Sequence, residues 1–119
     1  MGGMGLEGEP FRGLHEECGV FGAWGVQNAA EVTYYGLHSL QHRGQEGCGI
    51  VTVNAEGQLR RVKGLGLVTE VFNNDNLSEL QGDMAIGHVR YSTSGGGGIE
   101  NVQPFLFRHN SGDFALAHN

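Results

Sequence analysis

Glycine is the residue that most constrains the fold of this chain, because it occupies 22 of the 119 positions. Glycine weakens the interior of a helix, whereas turns, bulges and close backbone approaches accommodate it well. The sequence therefore favours a β-rich or α+β domain over a helix bundle. Its length fits one domain or part of one.

Charge and hydropathy exclude several kinds of partner. The chain has 7 Lys and Arg against 13 Asp and Glu, for a net charge of −6. Nucleic acids and anionic membranes bind basic surfaces, so we expect neither as a partner. No apolar run approaches the roughly 20 residues of a membrane span, and no secretory signal is recognisable. Cys18 and Cys48 form no metal or disulfide motif, so we predict a cytoplasmic protein.

The hydrophobic pattern predicts strands alternating with short helices. Residues 1–17 show neither the period of two that is typical of a strand nor the period of about 3.6 that is typical of a helix, and we interpret them as a leader. The predicted strands are Cys18–Gly25, Cys48–Val53, Leu59–Lys63, Met84–Tyr91, Phe105–Phe107 and Phe114–Ala117, the helices Ala29–Gln41, Leu67–Phe72 and Asn76–Leu80, and the turns Asn54–Gly57 and His109–Gly112. Asn28 is the expected N-cap of the first helix and Gly44 its stop. Gly87 and His88 interrupt an otherwise apolar strand.

Cys18 opens the first predicted strand, and two interpretations are open for it. A free cysteine is commonly a small buried hydrophobe. After cleavage before Cys18, however, its own α-amino group, with a pKa of about 7.7–8.0, could act as base for its thiol. An N-terminal nucleophile acts as its own base in this way. A leader without a pattern that stops at the cysteine fits that arrangement.

The segment LQHRGQEGCG, residues 40–49, follows the first predicted helix. Its polar side chains suit a solvated helix end, but Arg43 could equally lie near a reactive cysteine. His38 and His42 have the spacing of a metal-binding pair on a helix. No third ligand is evident in the sequence, so we predict no metal site.

The segment IGHVRYSTSGGGG, residues 86–98, joins an arginine at a strand end to hydroxyl residues and a glycine loop. Arg90 could hold a carboxylate through paired hydrogen bonds, and Thr93 could add a hydroxyl to the same group. An ordinary strand end with a surface loop is the simpler interpretation. A phosphate-binding loop has weak support, because no Lys-Ser or Lys-Thr pair follows the glycines.

Asn119 is the last residue of the sequence and follows an apolar strand. It suits a turn, or its side-chain amide could donate to an oxyanion, which is worth about 2.7–4 kcal/mol in comparable sites. Because chain termini usually lie at the surface, an end directly after an apolar strand leads us to expect a longer protein.

The motifs CGVFG, GLHSLQHRGQEGCGI, GLGLVTEVF, AIGHVRYSTSGGGGIENVQPF and LAHN occur in this order. From about Glu16 to Asn119 they resemble the N-terminal glutaminase domain of the amidophosphoribosyltransferases, in the propeptide-bearing type of Bacillus-like bacteria. The resemblance implies an α+β fold, the αββα four-layer sandwich of antiparallel sheets of the N-terminal-nucleophile (Ntn) hydrolases, incomplete and truncated at its C-terminus here. It divides the chain into a propeptide, 1–17, and the N-terminal part of the amidotransferase domain, 18–119.

The resemblance also implies roles for individual residues. It implies cleavage between Glu17 and Cys18, after which Cys18 attacks the side-chain amide of glutamine and a thioester forms. Ammonia leaves, and water then releases glutamate. The remaining correspondences are Arg90 and Thr93 to residues that hold the glutamine α-carboxylate, Arg43 to an arginine that orders the site around the nucleophile, and Asn119 to the oxyanion-hole asparagine.

For the full-length enzyme, the resemblance implies that ammonia reacts with phosphoribosyl pyrophosphate to give 5-phosphoribosylamine, the first step of purine synthesis. A phosphoribosyltransferase domain absent from this chain would carry out that step. Mg²⁺ and a [4Fe–4S] cluster would bind outside this chain, with Cys48 as a packing residue, and the enzyme would be a cytoplasmic homotetramer. We expect the chain alone to be inactive, because the family has further site residues beyond Asn119.

Two alternatives are open. Other Ntn amidotransferases, such as glucosamine-6-phosphate synthase and asparagine synthetase, also begin with Cys-Gly and carry an HR segment. The motifs QHRGQE and HVRYST favour the amidophosphoribosyltransferases over these other enzymes. A non-catalytic regulatory module on the same fold is the second alternative, and the joint presence of all the site residues argues against it.

Overall fold

The computed structural model describes residues 19–41, 45–91 and 98–118, which fold into an α+β arrangement. The strands are β1 (Gly19–Trp24), β2 (Gln45–Val53), β3 (Leu59–Leu65), β4 (Met84–Tyr91), β5 (Phe105–Phe107) and β6 (Phe114–Leu116). The helices are α1 (Ala29–Leu40), α2 (Val68–Val71), α3 (Asn74–Ser78) and a 3-10 helix at Ile99–Asn101.

The larger sheet has four strands in the order β1-β4-β2-β3, and each neighbouring pair is antiparallel. Strands β5 and β6 form a second, two-stranded antiparallel sheet. The α+β class and the antiparallel sheets predicted from the sequence are therefore confirmed. Strands β2 and β4 are central in the larger sheet, and β1 and β3 are its edges.

Helix α1 covers one face of the larger sheet. Thr33 and Leu37 pack over Gly87 of β4, where a Cβ atom would lie 2.6 Å from Thr33 Cγ2 and 2.9 Å from Leu37 Cδ1. The glycine that interrupts the apolar pattern of β4 thus lets the helix approach the sheet closely. Leu37, Ile50 and Val89 are fully buried in this core, and burial of each such side chain is worth roughly 1.5–3 kcal/mol.

Residues 102–104 lie against the opposite face. Lys63 Nζ donates to the first carbonyl oxygen of this segment at 3.0 Å, and Arg61 Nη1 donates to the last at 3.4 Å. Burial, together with the neighbouring Arg61, lowers the pKa of Lys63. A Cβ atom at Gly49 of β2 would lie 2.5 Å from the carbonyl oxygen of Gln103. Hydrogen bonds to the main chain and one close backbone approach therefore hold this segment on the sheet.

The ends of α1 differ from the prediction in mechanism and position. Asn28 is the N-cap, but it has a left-handed conformation (φ 58°, ψ 47°) and its side chain makes no capping hydrogen bond. Asparagine adopts this conformation more readily than most residues, so it contributes through its backbone. The helix ends at Leu40. The predicted stop at Gly44 lies outside the described residues.

The prediction of a buried first strand is wrong for one face of β1. Phe21 is partly buried against α1, whereas Val20 and Trp24 are 41% and 77% exposed. Strand β1 lies at the edge of the sheet and only its helix-facing side is covered, so its side chains alternate between the core and the surface. Cys18, the first residue of the predicted strand, lies outside the described residues.

The other predicted elements are confirmed, β4 and β5 with the predicted bounds and the rest with shifted ends. Strand β2 begins at Gln45 instead of Cys48, and α2 is shorter than the predicted helix. Helix α3 has the predicted length but begins at Asn74 instead of Asn76. Asn54 Oδ1 closes the predicted hairpin turn by accepting the backbone N–H of Gln58 at 2.9 Å. The rings of Phe107 and Phe114 stack across the second hairpin at 5.0 Å.

Candidate active site

Several chain segments meet at one end of the larger sheet. Strands β1 and β2 begin there and β4 ends there, because the neighbouring strands are antiparallel. In the register, Gly19 lies opposite Val89 and Gln45 lies opposite Tyr91. Since adjacent strands lie about 4.8 Å apart, β1 and β2 flank the end of β4 at a separation of roughly 10 Å.

Arg90 is the predicted site residue that the structure describes, and it lies at this end of β4. It is half-buried, opposite Gly47 of β2. Its Nη1 makes a weak hydrogen bond of 3.5 Å to the carbonyl oxygen of Asn101 in the 3-10 helix. Within the described residues this is the only hydrogen bond of a guanidinium with five N–H donors. Arg90 therefore retains donors for an anionic ligand.

His88 lies two positions before Arg90 on the same face of β4 and is fully buried. Its Nε2 lies 3.1 Å from the carbonyl oxygen of His118. A carbonyl oxygen can only accept a hydrogen bond, so Nε2 of His88 carries the proton and donates it. This hydrogen bond assigns the tautomer of His88 that has its proton on Nε2. Among the described residues, Nδ1 has no hydrogen-bond partner. Burial lowers the pKa of His88 to about 4, so the ring is neutral at pH 7.

The C-terminal end of α1 is held at the same end of the sheet. The Tyr91 hydroxyl donates to the carbonyl oxygen of Leu40 at 3.1 Å. The backbone N–H of Val68 donates to Gln41 Oε1 at 3.1 Å. A Cβ atom at Gly19 would lie 3.1 Å from Leu40 Cδ1, so the start of β1 also packs on this helix end.

Cys48 is buried in the core and unreactive. Burial is the main cause that raises the pKa of its thiol to about 12, so it is protonated at neutral pH. Its Sγ lies 3.9 Å from the carbonyl oxygen of Gly66, which also accepts from Gln45 Nε2 at 2.7 Å. The prediction that Cys48 is a packing residue is confirmed, and its thiol is unsuited to act as a nucleophile.

The other predicted site residues lie outside the described residues, namely Glu17, Cys18, Arg43, Thr93 and Asn119. Each has a described neighbour close to it in the chain, and these neighbours are Gly19, Gln45, Tyr91 and His118. The strand register and the bond from His88 to His118 bring these four neighbours to one end of the sheet, around Arg90. The positions of the five residues themselves stay predictions.

Sequence reasoning missed two buried polar residues at this end, His88 and Gln103. Gln103 Oε1 accepts the backbone N–H of His118 at 2.7 Å, while His88 bonds the carbonyl of the same residue. The sequence does contain a signal for His88. It is a polar residue in an apolar strand, and it lies two positions before Arg90, which places both side chains on the same face of the strand. Buried polar groups are almost always hydrogen-bonded, so such a residue indicates a tethered segment nearby.

The described residues contain no group of three or more His, Cys, Asp and Glu side chains that could hold a metal ion. Mg²⁺ needs oxygen ligands and a [4Fe–4S] cluster needs cysteine thiolates, so this part of the chain fits neither group. None of the helices in the described ranges has the length and hydropathy that a membrane crossing requires.

The chain is similar over most of its length to curated amidophosphoribosyltransferases. It is 65% identical over 109 residues to that of Bacillus subtilis (strain 168), 61% over 109 residues to that of Lacticaseibacillus casei, and 56% over 110 residues to that of Staphylococcus aureus (strain Mu50 / ATCC 700699). These matches cover 91%, 91% and 92% of this chain, but 23%, 56% and 22% of the relatives. The chain thus spans only part of their length. No family model matches it.

Two solved structures resemble the fold. One is described as the allosteric regulatory enzyme of purine biosynthesis, with a TM-score of 0.75 and 63% identity over 81% of this chain and 21% of that chain. The other is glutamine phosphoribosylpyrophosphate amidotransferase from B. subtilis complexed with ADP and GMP, with a TM-score of 0.75 and 61% identity over 84% of this chain and 21% of that chain.

The antiparallel α+β fold and its structural neighbours define the class of protein, an Ntn-type glutaminase fold. The family resemblance carried by the sequence motifs is confirmed at these identities. The chain is similar to the N-terminal part of the amidophosphoribosyltransferases. This favours that family over the other Ntn amidotransferases considered above.

Proposed function

We propose that this chain provides the glutaminase part of an amidophosphoribosyltransferase, hydrolysing glutamine to glutamate and ammonia. The observation that carries the proposal is the meeting of β1, β2, β4 and the segment before Asn119 at one end of the sheet, around Arg90. The names of the relatives agree with it, and one solved structure is named for glutamine and phosphoribosyl pyrophosphate.

Cys18 is the proposed nucleophile. Cleavage between Glu17 and Cys18 frees an α-amino group with a pKa of about 7.7–8.0, which takes the proton of the thiol. The B. subtilis match covers 91% of the chain, more than residues 18–119 alone, so residues before Cys18 also have counterparts in that relative. This agrees with a segment encoded before Cys18. Cys48 offers no alternative nucleophile, because burial raises the pKa of its thiol to about 12.

Arg90 and Thr93 are the proposed glutamine-binding residues. A guanidinium can donate two parallel hydrogen bonds to one carboxylate, which fixes both the position and the orientation of the amino acid. Arg90 is half-buried between β2 and the 3-10 helix, where reduced solvation strengthens a charged hydrogen bond. Thr93 adds a hydroxyl to the same carboxylate, and Arg43 orders the segment around the nucleophile.

The proposed reaction has two balanced steps. Cys18 Sγ attacks the side-chain amide carbon of glutamine, the C–N bond breaks, and ammonia leaves with the proton that the α-amine took from the thiol. Water then attacks the γ-glutamyl thioester with the α-amine as base, which releases glutamate and restores the thiol. The Asn119 side-chain amide donates to the oxyanion in both steps, an interaction worth about 2.7–4 kcal/mol in comparable sites.

For the protein at the length of its relatives, we propose transfer of the ammonia to phosphoribosyl pyrophosphate. Pyrophosphate is displaced and 5-phosphoribosylamine forms, as the first step of purine synthesis. The transfer takes place in a phosphoribosyltransferase domain outside the 119 residues, where Mg²⁺ and a [4Fe–4S] cluster are also proposed to bind. The proposed assembly is a cytoplasmic homotetramer.

The test uses the protein at its natural length, with two matched cysteine variants. Intact mass shows whether residues 1–17 are removed. We expect Cys18→Ala to lose glutaminase activity by roughly 10³-fold or more, because no nucleophile is left. Cys48→Ala should retain the activity, because that thiol is protonated and only packs. Full activity in Cys18→Ala refutes the proposal, and a folded but inactive unprocessed protein favours a non-catalytic module.

A further inference from the structure

Val102 occupies the space beside Arg90, on the face of the larger sheet opposite α1. Arg90 of β4 lies opposite Gly47 of β2 in the register, so these two positions share one face of the sheet. A Cβ atom at Gly47 would lie only 2.8 Å from Val102 Cγ2, and Val102 is fully buried. The glycine therefore leaves room next to Arg90, and the Val102 side chain fills it.

The peptide unit between Asn101 and Val102 carries the hydrogen bond to Arg90. Its carbonyl oxygen, which belongs to Asn101, accepts from Arg90 Nη1 at 3.5 Å. Its N–H, which belongs to Val102, donates to the carbonyl oxygen of Ile99 at 3.1 Å, at the end of the 3-10 helix. Because a peptide unit is planar, the bond to the N–H also restrains the direction in which the Asn101 carbonyl points.

Lys63 holds the same segment from the neighbouring strand. It lies on β3 opposite Gly49 of β2, and its Nζ donates to the carbonyl oxygen of Val102 at 3.0 Å. The next residue, Gln103, lies directly on β2, since a Cβ atom at Gly49 would be 2.5 Å from its carbonyl oxygen. Val102 is thus held at its side chain by packing on β2, at its N–H by the 3-10 helix and at its carbonyl by Lys63.

Support of this kind matters for an arginine, because its long stem has several rotatable bonds. Ordering such a side chain only when the ligand binds weakens the affinity by roughly two- to tenfold. A guanidinium that is already hydrogen-bonded to a carbonyl has lost part of this freedom before the ligand arrives. Within the described residues Arg90 makes this one hydrogen bond, so its other N–H groups are left for a carboxylate.

We propose that Lys63 and Val102 are positioning residues for Arg90. They fix the peptide unit after Asn101 on the sheet, and its carbonyl oxygen holds the Arg90 guanidinium in place before glutamine binds. The proposal rests on the proposed glutaminase function, in which Arg90 binds the α-carboxylate of glutamine. That carboxylate is remote from the amide that reacts, so the two residues contribute to binding of glutamine and not to the chemical step.

The test measures the kinetics of glutamine hydrolysis in Lys63 variants of the protein at its natural length. Lys63→Met keeps an apolar stem but removes the donor, so we expect the KM for glutamine to rise by roughly fivefold while kcat stays within about twofold. Lys63→Arg keeps a charged donor and should behave like the unaltered protein. Arg60→Met is the matched control, because Arg60 is an exposed cation on the other face of the same strand and should leave KM unchanged.

Lys63→Met also removes a positive charge, and its combination with Arg90→Lys separates that effect from positioning. Arg90→Lys keeps a charge but lacks the planar fork that can bind the Asn101 carbonyl and a carboxylate together. If Lys63 acts through Arg90, the two losses in kcat/KM should be less than multiplicative. A direct effect of the Lys63 charge on the carboxylate would multiply in full, and that result overturns the proposal.

Val102→Ala removes the packing over Gly47 and leaves every charge in place. We expect the same rise in KM with kcat nearly unchanged, and again a less than multiplicative loss with Arg90→Lys. Because Lys63 is only partly buried, the Lys63 variants decide the matter if Val102→Ala does not fold. An unchanged KM in either folded variant, or a fall in kcat alone, overturns the proposal. An unaltered protein without glutaminase activity refutes the proposed function itself, which separates the two failures.

Discussion

The two faces of the larger sheet are built by different means. On one face, α1 packs against an apolar core in which Leu37, Ile50 and Val89 are fully buried. On the other face, Lys63 and His88 donate to main-chain carbonyls of the segment between the 3-10 helix and His118. The first face depends on apolar burial, which is insensitive to direction, and the second on hydrogen bonds, which fix direction.

The second face also differs between its two ends. The end that carries Arg90 is polar, and the Arg90 guanidinium donates a hydrogen bond to the carbonyl oxygen of Asn101 there. The other end contains an apolar cavity of about 570 Å³, lined by residues that include Trp24, Met84 and Phe114. Arg90, the predicted site residue that the structure describes, lies neither on the helix-covered face nor in this cavity. The comparison therefore assigns stability mainly to the helix face, and it agrees with the proposed chemistry at the polar end of the opposite face.

The largest effect is expected from breaking the helix face. Leu37→Ala removes a fully buried side chain over β4, and we expect the free energy of unfolding to fall by about 3–5 kcal/mol from lost burial and the cavity left behind. Denaturant titration measures this. The matched control Val32→Ala, on the exposed side of α1, should change stability by less than about 0.5 kcal/mol. Equal losses in the two variants would contradict the assignment.

The next effect concerns the polar end and falls on activity. Arg90→Lys keeps the charge but loses the paired geometry, so we expect kcat/KM for glutamine to fall by roughly 100-fold with little loss of stability. Steady-state kinetics on the protein at its natural length measures this. Arg108→Lys is the control, because Arg108 pairs with Asp113 at the exposed second hairpin. A similar loss in the control would remove Arg90 from the proposed site.

Local elements were predictable because their signals are local. The apolar spacing of α1 and the β-branched residues of β2 reflect their own periodicity. Asn54 and Gly57 mark the hairpin turn through their short-range chemistry, and Gly57 has the positive φ (81°) that a turn requires. Edge and centre are not local properties, however. The exposure of Trp24 depends on which strands lie beside β1 and on what covers them, and the periodicity of its own strand carries neither fact.

The candidate site was predictable only in part for the same reason. Arg90 follows from its position at a strand end, and the motif order pointed to the remaining residues by resemblance. The pairing of His88 with His118 joins residues 30 positions apart, and no local pattern contains such a contact. Gln103 and Gly49 likewise meet only because the segment after the 3-10 helix folds back on β2. These contacts depend on the order of the strands in the sheet and on the path of the chain between them.

A smaller effect is expected at the contact between the sheet and that segment. In Gly49→Ala the new methyl group would meet the carbonyl oxygen of Gln103 at 2.5 Å and Lys63 Cβ at 2.9 Å. The backbone must shift, so we expect a loss of about 2 kcal/mol in stability, within the usual range for overpacking, and a higher KM for glutamine. Gly22→Ala on the same face is the control, because its nearest atoms lie at 3.7 Å. Comparable losses would mean that the close approach does not matter.

The smallest effect sharpens the comparison through pH. Burial lowers the folded-state pKa of His88 to about 4, below the ordinary histidine value of 6.5. The unfolded chain therefore binds more protons between these values, so the contribution of His88 to stability is complete above pH 6.5 and is lost as pH falls toward 4. From pH 7 to pH 5.5 we expect a loss of about 1 kcal/mol from this group.

Denaturant titrations at the two pH values measure the difference, and His88→Met should remove it because no ring is left to titrate. Replacing the exposed His109 by Gln is the control and should leave the difference in place. The charged ring would need a partner for Nδ1, and the described residues provide none. An undiminished pH dependence in His88→Met would show that other groups cause it. The polar face would then owe its geometry to the hydrogen bond alone, and not also to a histidine kept neutral by burial.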